Sequence, residues 1–203
     1  MSVKLLPTDI LFYQRFLKAA GLYTDSLDGI WGPNTNKADA EFTNISAAIA
    51  KQYGVFDAHS EANILSLLPK AQIEARKFLQ LATENNKEVK LLSGTRTYQQ
   101  QDELYCHGRN GNTLPVVTNA KGGQSNHNFG IAWDIGLYDS AGNYITNENP
   151  YISMATMLLG ALGSLEWGGN WHSFKDYPHY QLKAVTEDVA VIKDLFENGN
   201  IYV

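Results

Sequence analysis

One short stretch, residues 124–136, constrains this chain more than any other. It reads Gln-Ser-Asn-His-Asn-Phe-Gly-Ile-Ala-Trp-Asp-Ile-Gly, and places the imidazole of His127 and the carboxylate of Asp134 on either side of a glycine. Downstream, His179 follows an acidic residue, Asp176, by three positions. Two histidines and one carboxylate suit zinc and leave its fourth tetrahedral position open, as in hydrolytic sites. The pattern therefore predicts an open zinc site.

Each histidine taken alone is a weak signal. A single histidine beside an apolar strand is more often a hydrogen-bonded core residue than a ligand. His172 lies close to His179 in the sequence and is a rival third ligand. His59 and His107 are assigned no chemistry.

Residues 131–137 alternate large apolar side chains with small or polar ones. This alternation is typical of a strand with one buried face. Asp134 falls on the face opposite Ile131, Trp133 and Ile135. We therefore predict that Trp133 lies in the core and that Asp134 points to the other side of the sheet.

Capping residues, turn residues and apolar periodicity predict the elements around this strand. Pro33 and Pro69 each open a helix, Thr97 and Gln100 form a capping box, and a break is expected at residues 54–60. The predicted helices cover residues 8–21, 33–49, 69–82, 97–108 and 151–163. A second strand is predicted at residues 89–94, and a loop that frames the site at residues 110–124.

Composition excludes several classes of protein. The chain has 203 residues, 44% of them hydrophobic, and a formal net charge of -5. That charge argues against binding nucleic acid through phosphate contacts. The single cysteine, Cys106, cannot form an internal disulfide and is predicted to be a helix residue. Because no window is apolar enough to cross a bilayer and the first residues lack the pattern of a signal peptide, we expect no membrane anchor and no export signal.

Several motifs together form a long ordered pattern. Ser125-x-His127-x-x-Gly-x-Ala-x-Asp134 is followed by Asp176-x-Pro-His179 and preceded by Ser-Gly-Thr-Arg96. From about Ser60 to Leu182 the chain resembles the zinc peptidase family of D-Ala-D-Ala carboxypeptidases and L-alanyl-D-glutamate peptidases, of the VanY-like and phage endolysin type. The resemblance includes residues 117–123 and 165–171.

The resemblance implies roles for individual residues. It selects His179 over His172 as the third zinc ligand, beside His127 and Asp134. Asp176 is expected to be the catalytic base and Arg96 to stabilise negative charge on the substrate carbonyl oxygen. Ser125 is expected to bind the substrate.

The resemblance also implies an architecture. We expect an α+β fold in which the peptidase domain, with a small antiparallel sheet and flanking helices, covers residues 58–185. The turn Leu27-Asp-Gly-Ile-Trp-Gly-Pro-Asn-Thr35 resembles the small helical peptidoglycan-binding module, which predicts an all-helical module at residues 1–55. Residues 186–203 are expected to be a C-terminal extension packed on the catalytic domain.

The sequence thus predicts a monomeric, zinc-dependent peptidoglycan peptidase, an endolysin that hydrolyses the L-alanyl-D-glutamate bond. It is expected to stay in the cytoplasm until a separate lysis factor releases it to the wall, as phage enzymes are released. A D-Ala-D-Ala carboxypeptidase is the alternative activity. A wall-binding structural protein of a phage particle and a zinc-stabilised recognition domain are the non-enzymatic alternatives.

Overall fold

The computed structural model describes residues 9–172 and 174–203. Over these ranges, helices surround one four-stranded antiparallel sheet, which confirms the predicted α+β class. None of the described helices has the length and apolar character needed to cross a membrane. The elements are α1 Ile10–Ala19, α2 Pro33–Tyr53, α3 Ala58–Ile64, α4 Pro69–Glu84, β1 Glu88–Ser93, α5 Tyr98–Tyr105, β2 Ala132–Tyr138, α6 Glu148–Leu158, β3 Leu165–Trp167, β4 His179–Leu182 and α7 Val189–Glu197.

The sheet has the strand order β1-β2-β4-β3, and its two faces differ in chemistry. On one face Trp133 pairs with Tyr180, and both are fully buried, which confirms the prediction that Trp133 is a core residue. On the other face Asp134 pairs with His179. Since successive side chains of a strand point to opposite faces, the alternation in β2 and β4 separates the core from the polar site.

Most predicted elements are found, with shifted ends. The capping box of Thr97 and Gln100 starts α5, which ends at Tyr105 rather than near Gly108. α2 starts at Pro33 as predicted but runs on to Tyr53 as one helix of 21 residues. The predicted helix cap Thr8 lies outside the described residues.

Two predictions need correction. The break expected at residues 54–60 covers only residues 54–57. The carboxylate of Asp57 accepts hydrogen bonds from the backbone of residues 59 and 60, and α3 therefore starts at Ala58. The helix predicted at 151–163 begins earlier, at Glu148, because the side chain of Asn147 caps it by accepting from the backbone N–H of Asn149. It ends at Leu158.

The first and last helices pack against the segment that follows Asn126. Phe12 of α1 and Phe129 both contact the ring of Phe196 in α7, with centroid distances of 5.2 and 5.5 Å. Tyr202 donates a hydrogen bond of 2.6 Å to the carbonyl of Phe129. The two ends of the described chain therefore support the same short segment.

Gly130 ends this segment in a conformation that favours glycine. Its φ is +71°, in the left-handed region, and a Cβ atom placed there would lie 2.6 Å from Cε2 of Phe16. Any side chain at this position would therefore strain the backbone and clash with the ring of Phe16.

The division into residues 1–55, 58–185 and 186–203 stays a prediction. The packing of the first two helices against the sheet is relevant to this division. Buried apolar residues of α1 and α2 belong to the same core cluster as those of the sheet. Arg76, fully buried in α4, also clamps the junction by donating to the carbonyl of Gly54 and to both carboxylate oxygens of Glu61 at 2.6–2.8 Å. Residues on both sides of position 55 thus stabilise one core.

This shared core makes a prediction about stability. Phe16→Ala should lower the free energy of unfolding by about 3–5 kcal/mol, the range for removing a buried phenyl group. Because Phe16 is 1% exposed and touches Gly130, the whole transition should shift as one. Phe174→Ala is the matched control, since that ring is 61% exposed and should cost little. Denaturant unfolding followed by tryptophan fluorescence measures both; two separate transitions, only one of them shifted, would contradict the shared core.

Candidate metal centre

Three elements bring His127, Asp134 and His179 together. His127 lies on a short 3-10 helix, Asn126–Phe129, which starts at Ser125. Asp134 lies on β2 directly opposite His179 on β4. The backbone N–H of Arg96 donates to the carbonyl of His127 at 3.0 Å and so ties the 3-10 helix to the strand-to-helix junction after β1.

The facing atoms of these three side chains form a nearly equilateral triangle. Nε2 of His127 lies 3.2 Å from Oδ1 of Asp134 and 3.2 Å from Nδ1 of His179, and the last two atoms are 3.3 Å apart. Ligands at 2.0–2.1 Å from a tetrahedral zinc ion stand about 3.3 Å from one another. The spacing therefore fits one face of such a tetrahedron.

The hydrogen bonds behind the two imidazoles decide which nitrogens are free to bind a metal. Nδ1 of His127 lies 2.8 Å from the carbonyl of Gly94, which can only accept, so this nitrogen carries the proton. Nε2 of His179 lies 2.9 Å from Oε1 of Gln181. Each remaining nitrogen then directs a lone pair at the centre of the triangle, where a cation would relieve the repulsion between them. This donor set fits a zinc ion.

The ionisation of the centre points the same way. Burial by itself raises the pKa of Asp134, but the adjacent imidazoles of His127 and His179 outweigh it and hold that pKa well below its usual range. Burial lowers the pKa of His127, against the opposing effect of Asp134. Burial alone would lower the pKa of His179, but the hydrogen bond with Asp134 and the charge of that carboxylate outweigh burial, so the pKa is raised above its usual value. The carboxylate therefore stays ionised and favours positive charge between the three groups.

Arg96 reaches the outer side of the same carboxylate. Its Nη1 lies 3.5 Å from Oδ2 of Asp134 and donates to Oγ of Ser93 at 3.1 Å, while Nε donates to Gln101 at 2.9 Å. The hydroxyl of Ser93 in turn donates to Oδ2 of Asp134 at 2.6 Å. The Arg96 side chain is 19% exposed.

Asp176 lies in the turn that leads into β4. The backbone N–H of His179 donates to its carbonyl at 3.2 Å, and its own N–H donates to the carbonyl of Gly168 at 3.1 Å. A Cβ atom at Gly168 would lie 2.5 Å from the carbonyl oxygen of Asp176, so only glycine allows this approach. The carboxylate is partly exposed and interacts electrostatically with Arg96, Asp134 and His179.

The pKa of Asp176 is shifted in the direction that suits proton transfer. Burial raises it, the charge of Asp134 raises it further, and His179 and Arg96 oppose the rise without cancelling it. A carboxylate with a raised pKa is a better proton acceptor near neutral pH than an ordinary one.

The remaining predicted residues fall in different places. Ser125 caps the 3-10 helix through a 3.4 Å contact from the N–H of His127, and its binding of substrate stays a prediction. His172 is exposed and is not part of the cluster of potential ligands found in the described residues. Trp171 packs on the ring of His179, with a distance of 4.8 Å between the ring centroids, and forms one wall of the centre.

Sequence reasoning missed Ser93, Gly94 and Gln181, which orient the ligands. The sequence held a signal for Gln181, because it stands two positions after His179 and so shares its face in a strand. A backbone carbonyl such as that of Gly94 leaves no signal in the side-chain sequence.

The predicted wall-binding turn has an exposed aromatic surface. Trp31 is 42% exposed and stacks on Tyr13 at 5.8 Å, and the adjacent Ile30 is 67% exposed. That this turn binds the cell wall stays a prediction.

Comparison with known proteins identifies the region around the centre. The family model of D-alanyl-D-alanine carboxypeptidase matches residues 118–182. The peptidoglycan L-alanyl-D-glutamate endopeptidase CwlK of Bacillus subtilis (strain 168) is 38% identical over 104 residues, which cover 47% of this chain and 60% of CwlK. The chain therefore spans less than two thirds of that relative.

A solved structure is also similar. The L-Ala D-Glu endopeptidase ChiX of Serratia marcescens is 27% identical, with 63% of this chain and 89% of ChiX covered and a TM-score of 0.46. The matched family region begins before the 3-10 helix and ends with β4. The matched residues, 118–182, contain His127, Asp134 and His179.

Proposed function

We propose that this protein is a zinc-dependent peptidoglycan peptidase that hydrolyses the L-alanyl-D-glutamate bond of the stem peptide. The observation that carries the proposal is the triangle of His127, Asp134 and His179, with the carboxylate of Asp176 and the guanidinium of Arg96 close to it. The choice of bond is supported by the name of CwlK, a peptidoglycan L-alanyl-D-glutamate endopeptidase.

His127, Asp134 and His179 would hold the metal through Nε2, Oδ1 and Nδ1. When bound there, zinc supplies Lewis-acid chemistry, which polarises a carbonyl group and makes water a usable nucleophile at neutral pH. The protein holds these ligands ready by hydrogen bonds to the opposite ring nitrogens and to Oδ2 of Asp134.

The residues beside the centre move protons and stabilise charge. Asp176 takes the proton of the attacking water and delivers it to the amine that leaves when the peptide bond breaks. Arg96 faces the carbonyl oxygen of the substrate as negative charge develops there; one such donor is typically worth about 10²–10³ in rate. Since Gln101 and Ser93 fix this guanidinium, it needs little reorganisation during the reaction.

Mass spectrometry of purified muropeptides tests the reaction. Digestion should release L-alanine-terminated and D-glutamate-terminated fragments. Release of free D-alanine would support the alternative carboxypeptidase instead, and absence of any new terminus with zinc-loaded protein would favour a non-enzymatic wall-binding component. A lytic role of the endolysin kind is part of the proposal and requires that added protein also clear cells whose wall is exposed.

The metal assignment predicts parallel losses. His127→Ala and His179→Ala should each lower zinc content and hydrolysis together, because two ligands cannot hold the ion in an open site. His172→Ala is the control, since its imidazole is exposed and lies outside the triangle. Elemental analysis of each purified variant decides: full zinc in His179→Ala with zinc lost from His172→Ala would overturn the ligand set.

The role of Asp176 predicts that catalysis and metal binding separate. Asp176→Asn should retain zinc and folding while losing about 10²–10⁴ of turnover, the span expected for a positioned proton acceptor. Arg96→Ala should also retain zinc and lose rate, so neither variant should resemble a ligand variant in metal content. Turnover of purified muropeptides and zinc content are measured on the same samples. Hydrolysis by Asp176→Asn at the unmodified rate would remove Asp176 from the mechanism.

A further inference from the structure

Gln181 connects the two histidine-bearing segments of the centre. Its Oε1 faces Nε2 of His179 at 2.9 Å and accepts from Nδ2 of Asn126 at 2.8 Å, and Asn126 directly precedes His127. Its Nε2 donates to Oε2 of Glu166 at 2.8 Å. Gln181 is 7% exposed, so all three contacts form largely out of water.

The strand register builds this network. Glu166 on β3 pairs directly with Gln181 on β4, and Gln181 lies two residues beyond His179. Paired residues and residues two apart share one face of a sheet. Glu166 therefore stands on the same face as the ligands, one strand further out than His179.

The chemistry of a carboxylate makes Glu166 decisive. An ionised carboxylate only accepts hydrogen bonds, so the side of Gln181 that faces it must be the amide NH₂. Oε1 of Gln181 must then face His179, and an oxygen acceptor requires a proton on Nε2 of that imidazole. In the neutral ring this leaves Nδ1 bare, and Nδ1 is the nitrogen directed at Asp134 and His127.

Without that carboxylate, a second arrangement would compete. Oδ1 of Asn126 is buried and has no hydrogen-bond partner among the described residues. If the amides of Gln181 and Asn126 both turned over, the NH₂ of Gln181 would face Oδ1 of Asn126 and Nε2 of His179. That arrangement satisfies the orphaned oxygen but places the proton of His179 on Nδ1, which blocks metal binding.

We infer that Glu166, acting through Gln181, selects the tautomer of His179 in which Nδ1 is free to bind the metal. Glu166 is thus a positioning residue, which touches neither the substrate nor the metal. The inference rests on the proposed function only in taking Nδ1 of His179 as a zinc ligand.

Glu166→Gln is the direct test, because it keeps the shape of the side chain and lets it either donate or accept. Zinc affinity, measured by competition with a chromophoric chelator, should fall about 10–100-fold, the usual effect of removing a group that orients a metal ligand. Glu84→Gln is the matched control, since it removes the same charge from an exposed position at the end of α4 and should leave affinity unchanged.

An exchange of side chains tests the polarity of the network. In the double variant E166Q/Q181E, the carboxylate at position 181 accepts from Nε2 of His179 and the amide at 166 donates to it. This arrangement restores the same tautomer, so zinc affinity should recover most of the loss.

The tautomer itself provides a readout that a purely electrostatic or structural effect would not move. Nitrogen-15 NMR of metal-free protein at about pH 9 should show His179 protonated on Nε2 in the original chain and in E166Q/Q181E, and mixed in Glu166→Gln. Loss of the signal in His179→Gln assigns it, and circular dichroism confirms folding.

The outcomes separate this inference from the proposed function. If Glu166→Gln keeps His179 protonated on Nε2, the inference is wrong, even when zinc affinity falls. If the original chain shows the expected tautomer yet binds no zinc and hydrolyses no muropeptide, the proposed function fails while the role of Glu166 stands.

Discussion

The structure depends on holding three electron-pair donors 3.2–3.3 Å apart, at Nε2 of His127, Oδ1 of Asp134 and Nδ1 of His179. Such a group is unfavourable unless a cation lies among the donors, because lone pairs and a carboxylate charge repel at this distance. The fold therefore has to fix each ring from behind. The backbone carbonyl of Gly94 does so for His127, and the side-chain amide oxygen of Gln181 does so for His179. The orientation of His127 thus depends on the backbone, and that of His179 on a side chain.

The sheet and the helices share this task. β2 and β4 supply Asp134 and His179 in register, so the separation of these two side chains follows from the fixed spacing of paired strands. The third ligand lies outside the sheet, on a 3-10 helix whose position depends on tertiary packing. Phe16 of α1 against Gly130, and Tyr202 with its hydrogen bond to Phe129, hold that helix from its far side. The N-terminal helices are consequently part of the support of the centre, whatever affinity they have for the wall.

Two side chains of opposite charge accompany the triangle of His127, Asp134 and His179. A carboxylate with a raised pKa stands in the turn before β4, and a guanidinium held by Ser93 and Gln101 stands beside Asp134. Asp176 and Arg96 thus lie near the three side chains that could bind a metal, without belonging to that set. A purely structural zinc site has no use for either group, because its fourth position is closed by a protein ligand.

The sequence by itself predicted the α+β class and the two faces of β2, because alternation is a local property that tertiary contacts rarely reverse. It also predicted that His127, Asp134 and His179 come together, although the choice of His179 over His172 rested on the family resemblance. The roles of Asp176 and Arg96 came from the same resemblance and stay predictions, and tertiary folding brings Nη1 of Arg96 to 3.5 Å from Oδ2 of Asp134. Only the tertiary structure decided which ring nitrogens face one another at the centre, since this depends on Gly94 and on the chain of contacts from Glu166 through Gln181. It likewise decided that α1 and α2 share the core of the sheet, because packing between segments far apart in the chain leaves no periodic signal within either of them.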